Sequence, residues 1–310
     1  MKVCLMIEGQ EGVTWEDWVR LAGLCEEHGL DGLFRSDHYT AIIRPDADAH
    51  DAWATLAGLA AVTQRIRLGT MVSPVTFRHP SVLARMAVTI DHISRGRIEV
   101  GMGSGWYERE HEAHGFAFAD VGKRFALLAE QVEIVVRSWT EERFDHEGQA
   151  YRLHDQQALP RPVQEPHPPL ILGGGVKPRF AALAARYATE VNTLGAPNAE
   201  LQERKAALDR ACAETGRDPE TLAFSVMTAC YLGETHGEVV ERVARFLATR
   251  GDSSDPEGFL AERRERWLAR TVDEVAARLE ELRGLGVSRV FLQHLDHDDD
   301  SMIGLMAALR

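Results

Sequence analysis

Asp37 and His38 stand side by side in the run Ser36-Asp37-His38-Tyr39. A carboxylate next to an imidazole can move protons near neutral pH, because histidine titrates around ~6.5 unless its surroundings shift it. A second candidate is Arg97–Arg109, RIEVGMGSGWYER, in which Gly101, Gly103 and Gly105 fall at every second position. Side chains alternate faces along a strand, so these glycines clear one face, and something flat or bulky is expected against it. Trp106 and Tyr107 follow as large apolar surface at its rim. The stretch is not a dinucleotide fingerprint, since the third glycine of G-x-G-x-x-G falls on Trp106. A third candidate is Gly173-Gly174-Gly175, running towards Pro178. Consecutive glycines let backbone amides converge, and a helix N-terminus adds its dipole, which suits a phosphate.

Charged residues elsewhere qualify this picture. Arg78, His79, Lys177 and Arg179 are expected to give a positive rim able to receive an anionic ligand. His294, Asp296, His297 and Asp298 to Asp300 are dense enough to raise a metal site. No H-x-H stands at an early strand end, however, and Asp298 to Asp300 suit the cap and first turn of a last helix, so no metal is expected.

The elements that must hold these residues alternate. Val3–Ile7 reads as a strand, and Thr14 caps a helix to about His28 that Gly29 ends. Strands at 32–35 and 66–72 alternate with helices at 51–64 and 80–93, the latter with Pro80 in its first turn. The glycine stretch is strand four, followed by a long amphipathic helix, 121–138. Five prolines between 160 and 169 exclude a helix there, and 140–169 reads as an insertion with a short β excursion. Strands then follow at 170–172, 190–193, 222–232 and 289–293, with helices at 178–187, 198–215, 237–249, 256–268, 272–285 and 300–309. Eight strands separated by helices imply parallel pairing, because each crossover returns the chain to the same end. The expected fold is α/β, a (β/α)8 TIM barrel of one domain, 1–310, with 140–169 inserted after strand four; an open doubly wound sheet is second. On a barrel the chemistry sits just beyond the strand ends, where the candidates above fall.

Composition bounds the partners. The chain has 310 residues, 45% hydrophobic and 27% charged, with a formal net charge of −13 and no basic patch, which argues against nucleic acid. Its four cysteines are scattered without metal spacing, no apolar run approaches the ~18 residues that span a bilayer, and the N-terminus enters a strand directly. A cytoplasmic protein acting on a small molecule is expected.

SDHY at 36–39, LGTMVSPVTFRHP at 68–80, SRGRIEVGMGSGWYEREHEAHGF at 94–116, VGKRFALLAEQVEIV at 121–135 and PPLILGGG at 168–175 together resemble the luciferase-like family. More narrowly they resemble its branch of oxidoreductases dependent on the deazaflavin coenzyme F420. The resemblance implies a flavin-type ring at the barrel mouth, against a non-prolyl cis peptide at Met71–Val72, and commonly a homodimer. It implies hydride transfer between a substrate carbon and the ring's C5, with His38 as acid/base and Asp37 beside it as catalytic residues. The implied cofactor set is Asp37, Met71, Val72, Gly103, Ser104, Gly105 and Trp106, with Gly173, Gly174, Gly175 and Val176 at the phosphate. One departure stands out: sugar- and alcohol-oxidising relatives carry an acidic residue where this chain has Trp106, and Glu108 is shifted. Trp53, Trp106, Tyr107, Phe116 and the insertion are expected to line an apolar entrance. An FMN-dependent two-component monooxygenase is the alternative on the same barrel; a non-catalytic flavin-binding homologue and a metal-dependent hydrolase are the others.

Overall fold

In the computed structural model, which describes residues 1–44 and 46–310, eight parallel strands form in chain order. They are β1 (Lys2–Ile7), β2 (Gly32–Arg35), β3 (Arg67–Thr70), β4 (Ile98–Gly103), β5 (Leu170–Gly173), β6 (Glu190–Leu194), β7 (Ala223–Gly233) and β8 (Val287–His294). Each pairs with the next, and β8 returns to β1 with Val290 opposite Val3 and His294 opposite Ile7, so the sheet closes into the expected TIM barrel. Helices between the strands begin where the sequence offers a cap. Thr14 accepts from the Asp17 amide while Asp17 reaches back to the Thr14 amide, and Thr271 and Glu274 repeat the arrangement. Pro80 and Pro178 open their helices, and Gly29, at φ +80°, ends the first one.

Three local expectations change. Strand three stops at Thr70, turns through the cis bond Met71–Val72, and resumes as Ser73–Pro74 beside Met102 and Gly103. The helix expected over 256–268 ends at Arg263, and Leu268–Thr271 instead forms a short parallel strand along the end of β7, Leu268 opposite Cys230. The cause is packing: Leu268 is buried, and Trp267 stacks on Tyr231 at 5.8 Å between ring centroids, which fixes this segment against the sheet rather than on a helix. A short helix, Glu108–His114, forms where none was expected and ends at Gly115, φ +72°. Within 140–169, Arg143–Glu147 and Arg152–Gln157 make an antiparallel hairpin. It is tied to the helix Val121–Thr140 through Glu130, whose carboxylate accepts from the Ala150 and Tyr151 amides at 3.0 and 2.8 Å.

The barrel interior is filled in layers. At the N-terminal end, Arg289 on β8 spans Glu99 on β4 and Glu190 on β6, with contacts of 2.7 and 3.1 Å to the two Glu99 oxygens, and Arg67 also bonds Glu99. Burial works against the Glu99 carboxylate, but the two arginines overcome it and hold its pKa below the usual range. For Glu190 burial prevails over Arg289 and the pKa rises. Above lies an apolar plug of Cys4, Met6, Phe34, Ile171, Phe291 and Met71, with Phe34 edge-on to Phe291 at 4.8 Å. Gly69 is needed here, since a Cβ would stand 2.6 Å from both the Phe34 ring and the Glu99 carbonyl. Above the plug the barrel opens.

Replacing Arg289 by Met removes one partner from two buried carboxylates and is expected to cost about 3–5 kcal/mol, read by urea denaturation. Adding Glu99→Gln to it should recover part of the loss. A change below about 1 kcal/mol would show that the layer does not hold by this pairing.

Candidate functional site

Arg35, the last residue of β2, is buried and fixes the turn that follows. Its guanidinium bonds the Ser36 carbonyl, Thr55 Oγ1 and the His50 carbonyl at 2.8–3.0 Å, and lies 4.9 Å from the Trp18 ring. Beyond it, consecutive residues turn to opposite sides. Asp37 points away from the mouth: it is buried, accepts from Ser73 Oγ at 2.5 Å, and pairs with Arg78 at 2.6 Å. Arg78 also bonds Asp51 at 2.7 Å and the Tyr39 hydroxyl at 2.8 Å. His38 turns to the open side, and its Nδ1 donates to Glu110 Oε2 at 2.8 Å.

Glu110 lies in the unexpected helix Glu108–His114 and is completely buried. Its other oxygen accepts from the Tyr39 and Thr40 amides. A second buried carboxylate, Glu11, accepts from the Ile42 amide at 2.8 Å, from Ile43, and from the Arg44 amide at 2.7 Å. The segment after His38 is therefore hung from two glutamates.

A cavity of about 580 Å³ opens at the C-terminal end of the barrel. Met71, Val72 and Met227 form its floor; Gly103 to Trp106 and Gly173 to Gly175 form one wall, with His38 beside them. Ile42, Phe246, Trp267 and Leu295 form the wall opposite. Ten of the twelve residues expected at the site line this cavity; of the other two, Asp37 is engaged behind the wall and Val176 packs on the core.

The glycines prove to clear space for the chain itself. A Cβ on Gly101 would stand 2.1 Å from the Thr70 carbonyl oxygen, and one on Gly103 or Gly173 would stand 2.6 or 2.8 Å from the Val72 side chain. The bulk against strand four is the Met71–Val72 ledge, and any ligand lies beyond it. The basic rim is also corrected, because Arg78 is consumed by Asp37 and Asp51, Arg179 lies over Phe125, and His79 caps a helix by accepting from the Ser81 amide. Among the described residues, the arginines that reach the cavity are Arg204 and Arg250. Of the four aromatics expected at the entrance only Trp106 lines it: Trp53 is buried with its indole N–H on Ser73 Oγ, and Phe116 packs on Phe77. No residue of the hairpin contributes. Among the described residues no group of three or more His, Cys, Asp and Glu is placed to hold a metal; Asp299 is held by Arg242 and Arg245, and Asp300 by Arg20.

Glu110 was not apparent in the sequence because its role depends on a helix too short to show a period. The available signal was Glu110, His111 and His114 together just after the glycines, with exposed Glu108 as the decoy. Gly174 donates to the Asn192 carbonyl at 3.1 Å, whereas the position where a Gly175 side chain would start is open.

Burial alone would push the His38 imidazole down, but the hydrogen bond and charge of Glu110 outweigh it, and its pKa is raised above 6.5. Burial would likewise raise Glu110, and His38 with the two backbone amides lowers it below 4.5. The raised histidine contributes stability below 6.5 that is lost as pH rises through its folded value. The lowered glutamate contributes stability above 4.5 that is lost as pH falls through its own. The pair is at full strength between those two values.

A model of luciferase-like monooxygenases matches residues 2–289. An uncharacterized protein of Mycobacterium tuberculosis is 31% identical over 242 residues, which cover 72% of this chain and 82% of that protein. An F420-dependent glucose-6-phosphate dehydrogenase of Kineococcus radiotolerans is 38% identical over 151 residues, 48% of this chain and 44% of the dehydrogenase, so the match spans less than half of that relative. Among solved structures, monooxygenase RslO1 from Streptomyces bottropensis superposes with a TM-score of 0.84 at 26% identity, over 99% of this chain and 98% of that one.

Glu110→Gln removes the charge that offsets burial at His38. Proton NMR titration of the imidazole is expected to give a pKa above 6.5 in the parent and below 6.5 in the variant. An unmoved titration would mean that Glu110 does not set the charge of His38.

Proposed function

The chain belongs to the luciferase-like monooxygenase family, a family of oxidoreductases, and we propose that it moves a hydride between coenzyme F420 and a small organic substrate at the barrel mouth. The observation that carries this reading is His38 in the cavity wall near the Met71–Val72 ledge, paired with the buried Glu110. The matched relative named as an F420-dependent dehydrogenase supports the choice of coenzyme.

The residues present fit such a group. The cavity has the size of a small-molecule site, its floor is the apolar surface of Met71, Val72 and Met227, and Gly175 leaves room for close approach to backbone. When bound, the deazaflavin supplies a carbon that accepts or gives up a hydride. The chain supplies position and the proton. His38 has Nδ1 committed to Glu110, which leaves Nε2 as the nitrogen available to the cavity, and it carries or receives the proton there. Glu110 keeps the imidazole oriented and basic. Asp37 acts as a positioning residue, fixing Ser73 and Arg78 behind the ledge. Ser104, Gly105 and Trp106 would border the ring, and Gly173 to Gly175 would hold the phosphate, with the Gly174 N–H already on the Asn192 carbonyl. The barrel of residues 1–310 works as one unit, with 140–169 as an insertion away from the cavity.

A second reading, oxygenation with reduced FMN, is favoured by the likeness to RslO1 over nearly the whole of both chains. The same glycine wall would suit the FMN phosphate.

Binding titrations with F420 and FMN separate the two. Saturable F420 binding in the micromolar range is expected; FMN binding with no F420 binding would shift the assignment to the second reading. With turnover followed by F420 absorbance across a panel of alcohols and carbonyl compounds, His38→Ala is expected to lose about 10²-fold or more in kcat with F420 affinity retained. Unchanged turnover in that variant would remove His38 from the chemistry.

A further inference from the structure

The half of the cavity facing away from the glycine wall has its own character. Phe246 and Trp267 form its surface, and both are held from behind by a second apolar cluster. Tyr231 packs on Phe246 at 5.6 Å, Phe259 meets Trp267 at 5.3 Å, and the Arg263 guanidinium lies 3.6 Å from the Phe259 ring. The Phe246 and Trp267 rings meet edge to face, 6.2 Å apart at 70°, so this wall is an aromatic corner.

The polar groups around the cavity are mostly engaged with one another. Ser36 donates to Gln10, Gln10 to Glu8 at 3.0 Å, and Gln293 also donates to Glu8. Asn192 donates to Ser225 at 2.9 Å, and Glu11 is occupied by backbone amides. Arg204 is bound by Glu200, Thr193 and the Leu194 carbonyl. Arg250 differs: it lines the cavity, is exposed, lies 5.4 Å from the Phe246 ring, and makes no salt bridge within 4 Å among the described residues, with Asp252 the carboxylate that feels its charge. A dianionic sugar phosphate would need several free cations and hydroxyl partners, and groups already bonded to each other would have to be prised apart to provide them. A flat aromatic molecule with a single negative group needs only a stacking wall and one free cation.

We propose that the outer half of the cavity takes an aromatic monocarboxylate, stacked on Trp267 with its edge against Phe246 and its carboxylate at Arg250, and that it does not take a sugar phosphate. The assignment rests on the functional reading above only for which half is left to substrate. It sets this chain apart from the relative named for glucose 6-phosphate.

Calorimetric titration of the protein without added cofactor tests the assignment, using 2-naphthoate, the neutral isostere 2-acetonaphthone and glucose 6-phosphate. Saturable 1:1 binding of 2-naphthoate is expected, with glucose 6-phosphate giving no heat. Arg250→Gln should weaken 2-naphthoate about fivefold and leave 2-acetonaphthone unchanged. Phe246→Leu should weaken both aromatic probes roughly three- to tenfold. Tighter binding of glucose 6-phosphate than of 2-naphthoate, or an equal effect of Arg250→Gln on both aromatic probes, would overturn the proposal. So would displacement of 2-naphthoate by F420, since it would put the probe against the glycine wall. Failure of F420 to bind at all would count against the functional reading while the 2-naphthoate comparison still decided this one.

Discussion

The interior of an eight-stranded barrel is just wide enough for side chains to fill, and how that width is filled decides where a cavity can exist. Here the lower end is closed by charge: Arg289 reaches across from β8 to carboxylates on β4 and β6. A layer of that kind is stable only when every member is paired, because a lone buried charge is far more costly than a lone methyl group. On it rests the plug around Phe34 and Phe291, which Gly32 and Gly69 admit. The Met71–Val72 ledge then closes the plug from above, at the cost of glycine at 101, 103 and 173. Each layer dictates the residue types of the next, and the cavity is the volume left once the stack is complete.

Much of this was legible in the sequence, for reasons that are local. Strand and helix follow from apolar spacing, and Thr14, Pro80, Gly29 and Pro178 mark ends that the structure respects. Closure of the barrel follows from the count of strands and the parallel pairing that helical crossovers impose. Gly103 to Trp106 and Gly173 to Gly175 reach the cavity because they stand just beyond strand ends.

What was not legible depends on which neighbour fills a space or takes a charge. Alternating glycines reveal that something bulky approaches; they do not reveal that it is Val72 of the same chain. Arg78 has the composition of a rim cation, yet three partners draw it inward. Trp53 and Phe116 are apolar enough to line an entrance and are instead buried or packed among other aromatics. Trp267 owes its place on the wall to Leu268 leaving the helix for the sheet. These outcomes belong to tertiary packing, which spacing along the chain does not encode.

The neighbouring pair Asp37-His38 shows how the same fact constrains chemistry. Two consecutive residues at a strand end face opposite ways, so only one of them can meet a ligand in the mouth. Asp37 faces the ledge, and its charge is absorbed by Arg78. The carboxylate that His38 needs therefore comes from elsewhere in the chain, and Glu110 provides it from a helix that starts five residues after the last strand-four residue. Glu110 has two oxygens: one meets the imidazole, and the other holds the Tyr39 and Thr40 amides. The basicity of His38 and the path of the chain beyond it are thereby set by one group. A shift of Tyr39 and Thr40 away from Glu110 would disturb the same carboxylate that raises the His38 pKa, so the basicity of the imidazole and the path of the chain beyond it change together.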